Sequence, residues 1–119
     1  MYNRSYTLNK EPIYEAIAGV TTNALVDVIR LNTYGKKGIT ITLENRADIG
    51  LNPMNYQLWT NPAFGVTGGD YLENSGTLNV GDVKKFILSK DYGQVFLRVV
   101  ATVAGAFTTY RGGYIALLK

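Results

Sequence analysis

Few side chains in this sequence could carry chemistry. Asp70 and Glu73 stand three apart with Tyr71 between them. Paired carboxylates can serve acid–base or metal chemistry. The spacing of a calcium loop is missing, so the pair reads as two solvated loop charges. Asp27 falls inside an apolar alternation and is expected either at a strand edge or paired with Arg30 or a lysine. Gly65-Val66-Thr67-Gly68-Gly69 is glycine-rich but lacks the GK[ST] ending of a phosphate cradle, so it reads as a flexible loop tip. The 119 residues contain no histidine and no cysteine. That excludes a Ser-His-Asp triad, a cysteine nucleophile, a zinc–thiolate site and a disulfide within the chain. No catalytic residue, metal or cofactor is expected, and the chain reads as non-enzymatic.

The aromatic residues are the unusual feature. There are nine tyrosines, four phenylalanines and one tryptophan. Tyrosine and tryptophan give large contact area at low entropy cost and recur at interfaces. Phe86, Phe96 and Tyr114 fit core positions. Tyr34, Tyr92 and Tyr110 fall in or near turns. Tyr2 and Tyr6 flank Arg4 near the N-terminus, and Trp59, Phe64 and Tyr71 gather around the glycine-rich stretch. These last six, Tyr2, Arg4, Tyr6, Trp59, Phe64 and Tyr71, are the candidate partner-binding residues.

The elements that must position them read as strands. Ile39, Ile41 and Leu43 alternate with Thr40, Thr42 and Glu44 over Gly38–Asn45. Leu25–Leu31 alternates too, but with Asp27 on one face and Arg30 on the other, neither face is purely apolar. Gly35–Gly38 suggests a hairpin between these two strands. Further strands are expected at Asn55–Thr60, Thr77–Val80, Val83–Leu88, Gln94–Val103 and Phe107–Leu118, the last two pairing as a hairpin. Gly112-Gly113 predicts a bulge or a close backbone approach. Tyr14–Ala18 is the best helical candidate, and Asn61–Gly76 reads as a long loop. About seven or eight short strands with regular turn signals predict an all-β chain, an antiparallel β-sandwich of jelly-roll or Ig-like type. The expectation is one domain over residues 1–119, with residues 1–11 as an extended N-terminal arm.

Lysine and arginine total 12 against 9 acidic residues, a net charge of +3. The basic residues are scattered, with doublets only at Lys36-Lys37 and Lys84-Lys85, so no nucleic-acid partner is expected. No apolar run reaches the length of a membrane helix, and MYNRSYTLNKEP lacks the apolar stretch of a signal peptide. No membrane association is expected.

Five segments together resemble small phage virion proteins: GITITLEN, NYQLW, GGDYLENSGTLNVGD, YGQVFLRVVATVAG and AFTTYRGGYIALL. The likeness covers about two-thirds of the chain, from Gly38 onward. It implies a head decoration or cement protein on the capsid surface of a virion, bound to a major capsid protein and to copies of itself. Trimeric clustering is common in such proteins. Residues 1–37 lie outside the likeness and would supply a docking arm. Two alternatives stay open: a carbohydrate- or receptor-binding module that stacks sugars on Trp59, Phe64 and Tyr71, and a tail or baseplate component. On the first reading Tyr6→Ala weakens binding to capsid shells in a co-sedimentation assay, and unchanged binding removes Tyr6 from the interface.

Overall fold

The computed structural model describes residues 12–62, 69–88 and 93–118. The expected arm, with Tyr2, Arg4 and Tyr6, and the candidate Phe64 lie outside those residues. Eight strands follow one another: β1 (Pro12–Val20), β2 (Val26–Asn32), β3 (Lys36–Asn45), β4 (Met54–Asn61), β5 (Tyr71–Leu78), β6 (Val83–Leu88), β7 (Gln94–Ala101) and β8 (Thr109–Leu118). They form two antiparallel four-stranded sheets, ordered β1-β8-β3-β6 and β2-β7-β4-β5. Every connection but β4–β5 therefore crosses from one sheet to the other. This is the jelly-roll order, so the Ig-like alternative falls away.

That topology corrects four expectations. Gly35 turns the chain between sheets, so β2 and β3 are not a hairpin. β7 and β8 also lie in different sheets. A glycine turn between two alternating strands signals a reversal, and it does not say which sheet receives the return. Tyr14–Ala18 is strand, not helix, because β1 pairs with β8 along its whole length, from Pro12↔Leu117 to Val20↔Thr109. Tertiary pairing overrides so weak a local preference. The long loop is shorter than expected, since β5 begins at Tyr71.

The mixed faces of β2 have a physical cause. A bulge between Asp27 and Ile29 inserts one residue and resets the alternation. Asp27 and Arg30 then both point outward, opposite Arg98 and Phe96, while Ile29 and Leu31 point inward opposite Leu97 and Val95. Alternate residues of the central strands fill the core: Ile39, Ile41 and Leu43 from β3, Tyr56 and Leu58 from β4, Val95, Leu97 and Val99 from β7. Each such side chain contributes about 1.5–3 kcal/mol on burial.

Glycine sets the spacing where neighbours come closest. A Cβ on Gly112 would come within 2.5 Å of Val28 Cγ1 in the facing sheet, and one on Gly113 within 2.7 Å of the Glu15 carbonyl oxygen. The Gly112-Gly113 pair is a close approach, as its sequence suggested. On two edge strands a tyrosine covers the glycine opposite it. The Tyr110 ring lies over Gly19 and the Tyr56 ring over Gly76. Tyrosine thereby supplies the packing that the glycines lack.

One end of the sandwich is closed by polar groups. Asn45 continues the inward phase of Ile41 and Leu43 and is fully buried. Its Nδ2 donates to the carbonyls of Asn52 (2.9 Å) and Leu78 (3.0 Å), and its Oδ1 accepts from Thr108 Oγ1 at 2.9 Å. Its backbone N–H donates to the Asp82 carbonyl, and its own carbonyl accepts from Gly81 N–H, each at 3.0 Å. Thr108 in turn exchanges two bonds with Thr21. Asn45→Ala leaves a hydroxyl and two carbonyls without partners, and is expected to cost about 3 kcal/mol or more in urea unfolding. A loss below about 1 kcal/mol would mean that water replaces the amide at little cost.

Candidate functional site

Trp59 lies on the outer face of the β2-β7-β4-β5 sheet, where cross-strand partners share a face. Its neighbour there is Phe96, with ring centroids 6.5 Å apart and planes 6° from parallel. Phe96 points away from the core, yet it is only 1% exposed. Two guanidinium groups cover it, Arg30 at 4.3 Å and Arg98 at 4.6 Å from the ring centroid. Asp27 fixes both arginines: Arg30 Nε donates to Oδ2 at 3.0 Å and Arg98 Nε to Oδ1 at 2.9 Å. Arg30 Nη1 also donates to Gln94 Oε1, and Trp59 Nε1 donates to Gln57 Oε1, at 2.9 and 2.8 Å. The bulge in β2 makes this array possible, because without it Asp27 and Arg30 would face opposite ways. The expected edge role of Asp27, paired with Arg30, holds, and Arg98 is a second partner.

Tyr71 does not join Trp59. It pairs with Thr60, while Trp59 pairs with Leu72, so the two aromatic candidates lie on opposite faces of the sheet. Trp59 is half-buried and Tyr71 is 67% exposed. A shared stacking platform of these two residues is therefore not formed.

The carboxylates near Tyr71 serve as hydrogen-bond acceptors. Asp70 Oδ1 accepts from Asn61 Nδ2 and Glu73 Oε2 from Thr60 Oγ1, each at 2.9 Å. Both tie β5 to the end of β4. Among the described residues no group of three metal-ligating side chains occurs. An open cleft of about 250 Å³ is lined by Glu73 and Asn74 of β5 and residues 85–88 of β6. Two tyrosines hold their protons above the ordinary phenol range. Burial alone raises Tyr110, and burial followed by the charge of Glu15 raises Tyr114.

The sequence did not single out the end capped by Asn45. Residues 21–25, 46–53, 79–82 and 102–108 meet there, tied by Thr21–Thr108, Asn45–Gly81 and Asn52–Phe107 bonds. These connections expose Ile49 (66%), Leu51 (67%), Val80 (48%), Val103 (66%) and Phe107 (36%). Leu51 is also held at φ 42°, a left-handed conformation that leucine adopts only at a cost. Gly50 before it has φ 85°, and a Cβ there would run into the Phe107 carbonyl. Within these connections Arg46 and Asp48 pair with one another at 3.2 Å. The sequence signal was Asp-Ile-Gly-Leu, two aliphatic residues around a glycine between strands.

Compared with protein-family models the sequence matches none, and no curated protein sequence matches it. Solved structures share the fold. PirA superposes with a TM-score of 0.61 at 10% identity, over 85% of this chain and 92% of that one. A protein of the disulfide-linked pili of Bacillus endospore appendages gives 0.54 at 13%, over 92% and 91%. The Yersinia pseudotuberculosis-derived mitogen gives 0.53 at 16%, over 92% and 88%. These likenesses establish the two-sheet architecture. They do not assign a role, since one fold carries many.

Trp59 is the only tryptophan, so its emission reports on the outer array. Phe96→Ala is expected to red-shift that emission and to cost about 3 kcal/mol, because the ring is buried as deeply as a core residue. An unshifted spectrum would show that Trp59 is positioned without Phe96.

Proposed function

We propose that this chain is a non-enzymatic structural protein of a virion, a decoration or cement protein that binds a major capsid protein and copies of itself on the capsid surface. The observation that carries this reading is Leu51. A leucine that is two-thirds exposed and held at positive φ serves neither packing nor backbone comfort. Its use is to present an apolar side chain to something else. Ile49, Val103 and Phe107 at the same end enlarge that surface, and apolar contact of this kind is what covering by a partner stabilises. The resemblance over Gly38–Leu118 supports the virion setting. On a lattice, repetition supplies avidity, so each contact can be modest. With no cysteine in these 119 residues, they can form no disulfide link in any such assembly.

A carbohydrate- or receptor-binding role has one observation in its favour. Trp59 lies half-exposed on a sheet face whose outward neighbours include Gln57, Ser75, Asn55 and Thr77. The separation of Tyr71 from Trp59 removes the paired platform that this role called for.

The test is co-sedimentation with shells of the major capsid protein, with light scattering of the free chain. Wild type is expected to bind. Leu51→Asn suits the left-handed backbone better than leucine does, so it should keep or raise thermal stability while weakening shell binding about tenfold, the equivalent of ~1.4 kcal/mol. A wild-type chain that ignores shells, with Trp59 emission quenched by a glycan, would transfer the function to the sugar-binding role.

A further inference from the structure

The two sheets leave four strand edges, β1 and β6 in one and β2 and β5 in the other. A bare edge is a row of unpaired N–H and C=O groups that another strand can join, and proteins blunt such edges with bulges, charges or proline. Three of the four are blunted. β2 carries the bulge between Asp27 and Ile29 and two charged side chains. β5 is bulged at Glu73, opposite Leu58 and Trp59. β6 carries Lys84 and Lys85. β1 is the least defended of the four. Its nine residues, PIYEAIAGV, hold one charge, Glu15, and a proline only at the first position. It pairs with β8 without a register shift. Among the described residues no strand lies on its other side. Ala16 and Ala18 are small and exposed.

We infer that β1 is a self-association edge, at which two copies of the chain pair β1 to β1 antiparallel and join two four-stranded sheets into one of eight. The occupant is a second copy because the strand is complementary to itself: about a two-fold at Ala16 the small Ala16 meets its own copy and the strand's single charge, Glu15, is offset from its own copy. The contact is isologous and closes as a dimer. Full overlap of the strand puts the two-fold axis at Ala16 and pairs Pro12 with Val20 and Glu15 with Ile17. That register keeps the two Glu15 carboxylates off one another, as like charges directly opposite are unfavourable. The symmetry is two-fold, in place of the trimer that the virion resemblance implies. The inference specifies the self-association within the proposed function, and its test needs no capsid.

Sedimentation velocity of the full chain from micromolar to millimolar concentration should show a dimer. Ala16→Lys and Ala16→Glu each place like charges on the axis and should each give a folded monomer. An equimolar mixture of the two should recover the dimer as a heterodimer. If a charge at this site unfolds the chain, Ala16→Cys, in a chain with no other cysteine, should be trapped as a disulfide dimer on mild oxidation while remaining folded. A wild-type monomer at millimolar concentration, variants that dimerise like wild type, or a mixture that stays monomeric would each overturn the inference. A wild-type monomer that still binds shells would overturn the edge and leave the structural role standing. A dimer that ignores shells would do the reverse.

Discussion

The buried amide of Asn45 is the interaction on which the rest of this structure depends. Four connections converge at that end of the sandwich, and their backbone groups face inward where water is excluded. An unpaired buried carbonyl or N–H costs about 1–3 kcal/mol, so such an end needs a group that can donate twice and accept as well. Asparagine does this, and Thr108 and Thr21 extend the network to the ends of β8 and β1 in the same sheet. Leucine at this position would continue the apolar stripe of β3 and leave the loops untied. A fully satisfied polar network also specifies one arrangement, which apolar packing alone does less well. The opposite end uses a simpler device, with both Thr33 N–H and Thr33 Oγ1 donating to the Gly93 carbonyl, at 2.8 and 3.0 Å.

That rigidity bears on function through strain. Leu51 and Ala47 both have positive φ, at 42° and 54°. A loop free to relax would not keep them there. Because Asn45 holds the Asn52 carbonyl, and Asn52 Nδ2 holds that of Phe107, the loop backbone is fixed from two directions. The exposed Ile49, Leu51 and Phe107 side chains are thus presented from a set geometry, which lowers the ordering cost of any contact they make.

The outer face of the β2-β7-β4-β5 sheet shows the same logic in another form. Phe96 points away from the core and is nevertheless buried, because two arginines lie on it and one aspartate holds both. Stacked guanidinium groups keep their charge near water while covering an aromatic ring. The sandwich thereby gains a second, thin layer of packing outside its core. Trp59 is half-buried beside that layer, and its indole N–H is turned to Gln57 rather than left for an outside acceptor.

Alternation in Gly38–Asn45, Gln94–Val103 and the segments between them was enough to read an all-β sandwich and its core faces. The reason is physical: a strand between core and solvent must alternate, and the period is local. The absence of histidine and cysteine excluded, from the sequence, the chemistries that need those side chains within these residues. Pairing was not legible. Whether β8 returns beside β7 or crosses to β3 depends on loop closure and on both sheets burying their inner faces together, which no local window records. The same holds for the β2 bulge, which turned two apparently mixed faces into one apolar and one charged. It holds also for Asn45, whose place in the phase of Ile41 and Leu43 was visible, but whose partners at Asn52, Leu78 and Thr108 are brought to it only by the fold. Trp59 and Tyr71, close in sequence, were separated by the parity of one strand pair. Sequence determined which residues alternate, and tertiary structure decided which of them meet.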